Sequence, residues 1–110
     1  GFKGFLHWGY HVHTSDPFGA TCLDAGPGNK MPPGNGFVVY PGDGRPWYSV
    51  RGHLQRAGAE DFELLAQLAA QDRAAAMGLI ERVCKGFDEY DPDPANFTRV
   101  RRDLLRALDR

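Results

Sequence analysis

The stretch Gly36-Phe-Val-Val-Tyr-Pro-Gly-Asp-Gly-Arg-Pro-Trp-Tyr-Ser-Val-Arg-Gly-His-Leu-Gln-Arg-Ala-Gly-Ala-Glu-Asp-Phe-Glu-Leu-Leu65 decides how this chain is read. Phe37 to Tyr40 is a short apolar run, as expected of a strand buried on both faces, and Tyr40-Pro41-Gly42 breaks it. A Gly/Pro-rich loop follows, and helical spacing of apolar residues then begins near Ser49. The sequence thus predicts strand, loop and helix in succession, the repeating unit of α/β folds. The loop lies at the C-terminal end of its strand, where such folds place their ligand sites.

Upstream, Phe2 to Val12 reads as a second strand, carrying Phe5, Leu6, Trp8, Tyr10 and Val12. Thr14 to Asn35 is a loop rich in Gly, Pro and Asn, too long for an ordinary connection. Downstream, three helices are expected. The first is interrupted, with one turn from Ser49 to about Gln55, a kink or close contact at Gly58, and a run from Ala59 to about Ala70. The second spans Arg73 to Phe87 with Met77, Ile80, Cys84 and Phe87 on one stripe. The third starts at Asp93-Pro94, an N-cap followed by proline at the first helical position, and carries Phe97, Val100, Leu104, Leu105 and Leu108. Two strands do not make a stable sheet unless something covers them. The inventory therefore predicts that upstream sequence or a second copy completes the fold. The opening on Gly1-Phe2-Lys3 without an initiator Met fits a processed, tagged or excised piece.

The chain has 110 residues, which bounds it to one domain, and its 13 basic and 14 acidic side chains leave a net charge of -1. That balance argues against a general nucleic-acid binder. No apolar run approaches the ~20 residues of a membrane span, and no secretory or lipidation signal is visible. The two cysteines, Cys22 and Cys84, identify no compartment and leave a disulfide open.

Three pieces in order, Gly4-Phe-Leu-His-Trp8, Gly36-Phe-Val-Val-Tyr-Pro-Gly42, and Ser49-Val-Arg51 with Arg56-Ala-Gly-Ala-Glu-Asp-Phe-Glu63, resemble the C-terminal part of glycoside hydrolase family 123-like (β/α)8 barrels, also known as a domain of unknown function. The resemblance covers about residues 4 to 70. It implies an α/β chain that forms the C-terminal portion of a TIM-like barrel. Residues 1–70 would then supply late strands, the active-site-side loop and the following helix, and 71–110 the C-terminal helices. It further implies action on N-acetylgalactosamine-containing glycans, in which the sugar's acetamide attacks the anomeric carbon while an adjacent Asp-Glu pair orients it and protonates the leaving oxygen. That scheme departs from the usual two-carboxylate one. In the family the pair lies upstream of the matched region. Glu60-Asp61 matches the family's helix-opening pair instead, and Asp88-Glu89 follows no strand. No catalytic residue is therefore expected in this chain, and no cofactor or metal. Beyond Trp8 the sequence departs from the family, with Gly9-Tyr10-His11-Val12-His13 where an Asn and further aromatic residues are usual.

The expected substrate-binding residues are Trp8, Tyr40, His11 and Arg51. Trp8 ends a strand, and its ring suits the C–H face of a sugar while its indole N–H can donate; an ordinary core Trp is the competing role. Tyr40 can bond a substrate oxygen or a backbone carbonyl. His7, His11 and His13 share strand parity, which raises a metal site. However, His7 and His11 would sit about 13 Å apart at ~3.3 Å per residue, too far to share one ion, and His11 or His13 fits better as a polar pocket residue. Arg51 can bind a substrate oxygen or form a structural ion pair. Asp43 fits a turn former, and the arginines of the last helix a solvated face. The resulting expectation is a chain that supplies the walls of a carbohydrate pocket. The alternative is a small self-associating module that binds a ligand or serves structure without catalysis.

Overall fold

The computed structural model describes residues 6–20, 22–86 and 88–109. The architecture is mixed α/β, with two antiparallel strands followed by three helices. The elements are β1 (Val39–Pro41), β2 (Pro46–Tyr48), α1 (Val50–Gln71), α2 (Arg73–Glu81) and α3 (Pro94–Leu108). The chain divides into two compact units, Gly1–Arg56 and Ala57–Arg110. No helix among the described residues is long and apolar enough to cross a membrane.

The expected strand–loop–helix unit is a β-hairpin running into a helix. β1 pairs with β2 in the register Val39↔Tyr48, Tyr40↔Trp47 and Pro41↔Pro46. Neither proline has an N–H, so their pair is non-hydrogen-bonded and Tyr40↔Trp47 is the bonded pair beside it. Gly42 to Arg45 make the turn, and Gly44 adopts the positive φ of 68° that the reversal needs. Trp47 and Tyr48 then have the β-propensity to return along β1.

The strand expected over Phe2 to Val12 is not formed in its described part. Leu6 to Val12 carry no strand, and His11 makes only an isolated bridge to Phe37; residues 2–5 lie outside the described residues. The chain folds back at Gly9, whose N–H donates to His7 Nδ1 at 3.2 Å and which lies against the Val12 side chain. An extended strand would hold residues 9 and 12 far apart. The Tyr10 carbonyl accepts from both Val38 and Val39, at 3.0 and 2.7 Å, so this segment is tied to β1 without joining the sheet.

Phe37 and Val38 form the core of the first unit, at 0% and 2% exposure. The chain reaches them through Gly36, at φ 84°, where any Cβ would come within 2.6 Å of the Val12 carbonyl oxygen. The long loop Thr14 to Asn35 is built from local turns. Asp16 Oδ1 accepts from Phe18 and Gly19 N–H, and Asp24 bridges Lys30.

α1 runs as one helix from Val50 to Gln71, so the interruption expected between Gln55 and Ala59 is absent. A Cβ at Gly58 would meet nothing within 4 Å, which excludes a close contact as well. One helical glycine costs only about 1 kcal/mol, a penalty the remaining turns absorb.

In the second unit Leu68, Ala76 and Leu104 form the core, with Leu64, Leu65, Leu79 and Leu108 packed against it. α2 begins at Asp72, whose carboxylate accepts from Ala75 N–H at 2.9 Å. It ends at Glu81 rather than near Phe87, which lies outside the described residues. Cys84 is therefore not helical: it bridges Tyr90 in a short reversal where Lys85 N–H donates to the Glu89 carbonyl. Cys22 and Cys84 form no disulfide. α3 is capped as its sequence predicts, Asp93 accepting from Ala95 N–H at 2.9 Å with Pro94 in the first turn. Val100 and Leu104 are its buried positions, while Phe97 and Leu105 remain about half exposed.

Candidate functional site

The chemistry-bearing side chains of the first unit converge on Tyr40. The start of α1 is docked against the hairpin by Ser49, whose N–H and hydroxyl both donate to the Val38 carbonyl, at 3.0 and 2.7 Å. The same hydroxyl accepts from Gly52 N–H at 3.3 Å. Gly52 suits this approach, since a Cβ there would stand 3.3 Å from the Val38 carbonyl oxygen, a tight contact. Arg51 is thereby aimed back along β1. Its Nε donates to the Phe37 carbonyl at 3.0 Å and its Nη2 to Tyr40 Oη at 2.9 Å. The guanidinium lies over Gly34, at φ 82°, where a Cβ would stand 2.9 Å from Nε.

The Tyr40 ring is flanked by stacked rings: Phe18, with centroids 5.3 Å apart, and His13, at 6.4 Å. Phe37 tilts against it at 6.1 Å, and Phe18 also meets Trp47 edge-on at 6.2 Å. Two open clefts meet at Tyr40. One, of about 460 Å³, includes Tyr10, His11, His13, Gly42 and Arg45 in its lining. The other, of about 270 Å³, is lined by Pro17, Phe18, Trp47 and Tyr48 besides Tyr40. Among the described residues no carboxylate lines either cleft. Flat rings with hydrogen-bonding tips and few charges suit a neutral polyhydroxylated ligand, which needs both C–H contact and directed polar groups.

Of the four residues expected from the sequence, three come together: Tyr40 and His11 line one cleft, and Arg51 bonds Tyr40. Trp8 lines neither cleft. Its Nε1–H donates to Asn35 Oδ1 at 2.7 Å, so the indole offers a half-exposed ring and not a donor. Arg51 bonds a carbonyl and a phenol rather than a carboxylate. The shared face expected for His7, His11 and His13 does not arise, because the strand that would align them is absent. Among the described residues no three His, Cys, Asp or Glu side chains are grouped to hold a metal ion.

Sequence reasoning missed Phe18 and Trp47. The signal for Trp47 was present in Gly42-Asp43-Gly44, a hairpin turn between residues of strand propensity.

The second unit has an apolar cleft of about 170 Å³ between Leu65, Leu79, Ile80, Val83 and Phe97, bordered by an ion pair of Asp61 with Arg101 Nε at 2.6 Å. The hydrogen bond that Arg101 donates to Asp61, and then the Asp61 charge, hold the Arg101 guanidinium above its ordinary pKa. Asp61 is thus occupied in holding α1 to α3.

Fold and site together define a mixed α/β chain with an aromatic cluster and two open clefts at a hairpin–helix junction. A family model described as glycoside hydrolase 123, catalytic domain, matches residues 1–68, a span that holds Trp8, His11, Tyr40 and Arg51. The chain belongs to this family. No curated protein matches the sequence.

Proposed function

We propose that this chain is the C-terminal end of a (β/α)8-type glycoside hydrolase domain. In this reading it supplies walls of a pocket for N-acetylhexosamine glycans of the N-acetylgalactosamine type and lacks the catalytic Asp-Glu pair. β1 is the barrel strand in this reading, the turn and β2 belong to the loop after it, and α1 is the helix that follows. That assignment accommodates an antiparallel hairpin in a parallel-barrel family, because β2 stands outside the barrel wall. The observation that carries the reading is the Tyr40 site: stacked rings and a fixed phenol within the family-matched span, with no carboxylate among the described residues that line either adjoining cleft. Tyr40 and His11 are the polar contacts of this pocket and Arg51 holds Tyr40, while the half-exposed Trp8 ring lies outside both clefts.

Acid catalysis needs a proton donor within reach of the leaving oxygen. In this reading the adjacent acidic pairs are not that donor, and Asp61 is engaged by Arg101 at 2.6 Å. The chain alone is therefore expected to release no aryl alcohol from an aryl N-acetyl-galactosaminide above the uncatalysed rate. Clear turnover, abolished by Asp61→Asn or Glu89→Gln, would place the acid in this chain and defeat this part of the reading.

A second reading, self-association without catalysis, draws on the exposed apolar side chains of the first unit, Phe18, Tyr48, Val50 and Leu54 among them. Surfaces of this kind are normally covered. Upstream barrel sequence would cover them in the first reading and a second copy in the other. A discrete folded oligomer by light scattering favours the second copy.

A further inference from the structure

We propose that Arg51 is a positioning residue that occupies one acceptor site of the Tyr40 hydroxyl and directs its O–H away from the guanidinium, so that the pocket favours an acceptor oxygen on its ligand at this point. The inference rests on the sugar-pocket reading above and goes beyond it by fixing the polarity of one contact.

A phenol has one O–H and two lone pairs, and a guanidinium has only donors. With Arg51 Nη2 donating to Tyr40 Oη at 2.9 Å, one lone pair is consumed and the O–H cannot point toward Arg51. The phenolic hydrogen is turned to other directions, and the ring itself lines both open clefts. Donation from a cation also polarises the O–H and strengthens it as a donor. Arg51 is held for this task. Its Nε is anchored on the Phe37 carbonyl, its plane rests on the side-chain-free surface of Gly34, and its backbone is set by the Ser49 contacts with Val38. Lysine, with a single ammonium on a flexible stem, does not reproduce two bonds in a fixed plane.

The test is a two-by-two comparison of the native chain, Arg51→Lys, Tyr40→Phe and the double variant, each titrated with methyl N-acetyl-galactosaminide and followed by NMR. Tyr40→Phe and Arg51→Lys are each expected to weaken binding about tenfold, the size of one charge-supported hydrogen bond. If Arg51 acts through Tyr40, adding Arg51→Lys to Tyr40→Phe weakens binding no further. A direct ligand contact, or a purely structural role, would lower affinity in both backgrounds and overturn the inference. Unchanged affinity in Arg51→Lys overturns it as well, and leaves the pocket reading intact. Absence of binding by the native chain overturns the pocket reading and this inference with it. A ligand-free control is the Arg51 Nη2–H resonance, which is expected to move in Tyr40→Phe, a variant that removes one oxygen and no packing. A resonance unmoved by that change would contradict the bond itself.

Discussion

Replacing Phe37 with Ala is expected to cost about 3–5 kcal/mol, the range for truncating a fully buried aromatic side chain. Phe37 has no exposed surface, its ring lies against His13 and Tyr40, and its backbone both bridges His11 and receives Arg51. The loss includes the transfer energy of the ring and a cavity that Val38 alone cannot fill. Against the 5–15 kcal/mol typical of a whole domain, such a loss leaves little of the first unit's order. The measurement is urea denaturation followed by tryptophan fluorescence, since Trp8 and Trp47 are the chain's two tryptophans and both lie in this unit. A loss below about 1 kcal/mol would mean that Phe37 is not the centre of that core.

Leu104→Ala is the corresponding change in the second unit, with an expected cost of about 2–5 kcal/mol. Leu104 is 2% exposed and packs with Leu68 and Ala76, the residues that join α1, α2 and α3. Ala76 is too small to compensate, and the side of Leu104 that lines the apolar cleft has no side chain ready to move in. Far-UV circular dichroism is the appropriate probe, because α2 and α3 lie wholly in this unit. Leu105→Ala, one position along and half exposed, is the control and is expected to change little. Equal effects at the two positions would contradict the assigned buried face of α3.

How much of this was legible in the sequence follows from the range of each signal. α3 was legible because its determinants are local: Asp93-Pro94 caps it, and Val100 and Leu104 lie one turn apart. β2 was hidden, because Trp47 and Tyr48 sit among Gly and Pro and gain strand character only by pairing with β1. The N-terminal segment failed in the opposite sense. Its aromatic residues favour a strand, but the fold-back at Gly9 and the bonds from β1 to the Tyr10 carbonyl use the backbone differently. Gly58 was over-read, since one glycine does not break a helix of this length. In the site, Tyr40 and Arg51 were each recognisable as residue types at the right place. Their direct bond was not, because it depends on how the hairpin returns the chain to α1. The role of Trp8 changed for the same reason: its partner Asn35 is distant in sequence and takes the only indole donor.

The central claim is that the first unit carries a pocket wall for N-acetylhexosamine glycans centred on Tyr40. The most direct measurement is an NMR titration of this chain with methyl N-acetyl-galactosaminide, with methyl glucoside as the comparison. Saturable movement of the Tyr40, His11 and Trp47 side-chain resonances is expected with the N-acetylated sugar, and weaker movement with the glucoside. Resonances that stay fixed, or movement confined to α2 and α3, would contradict it.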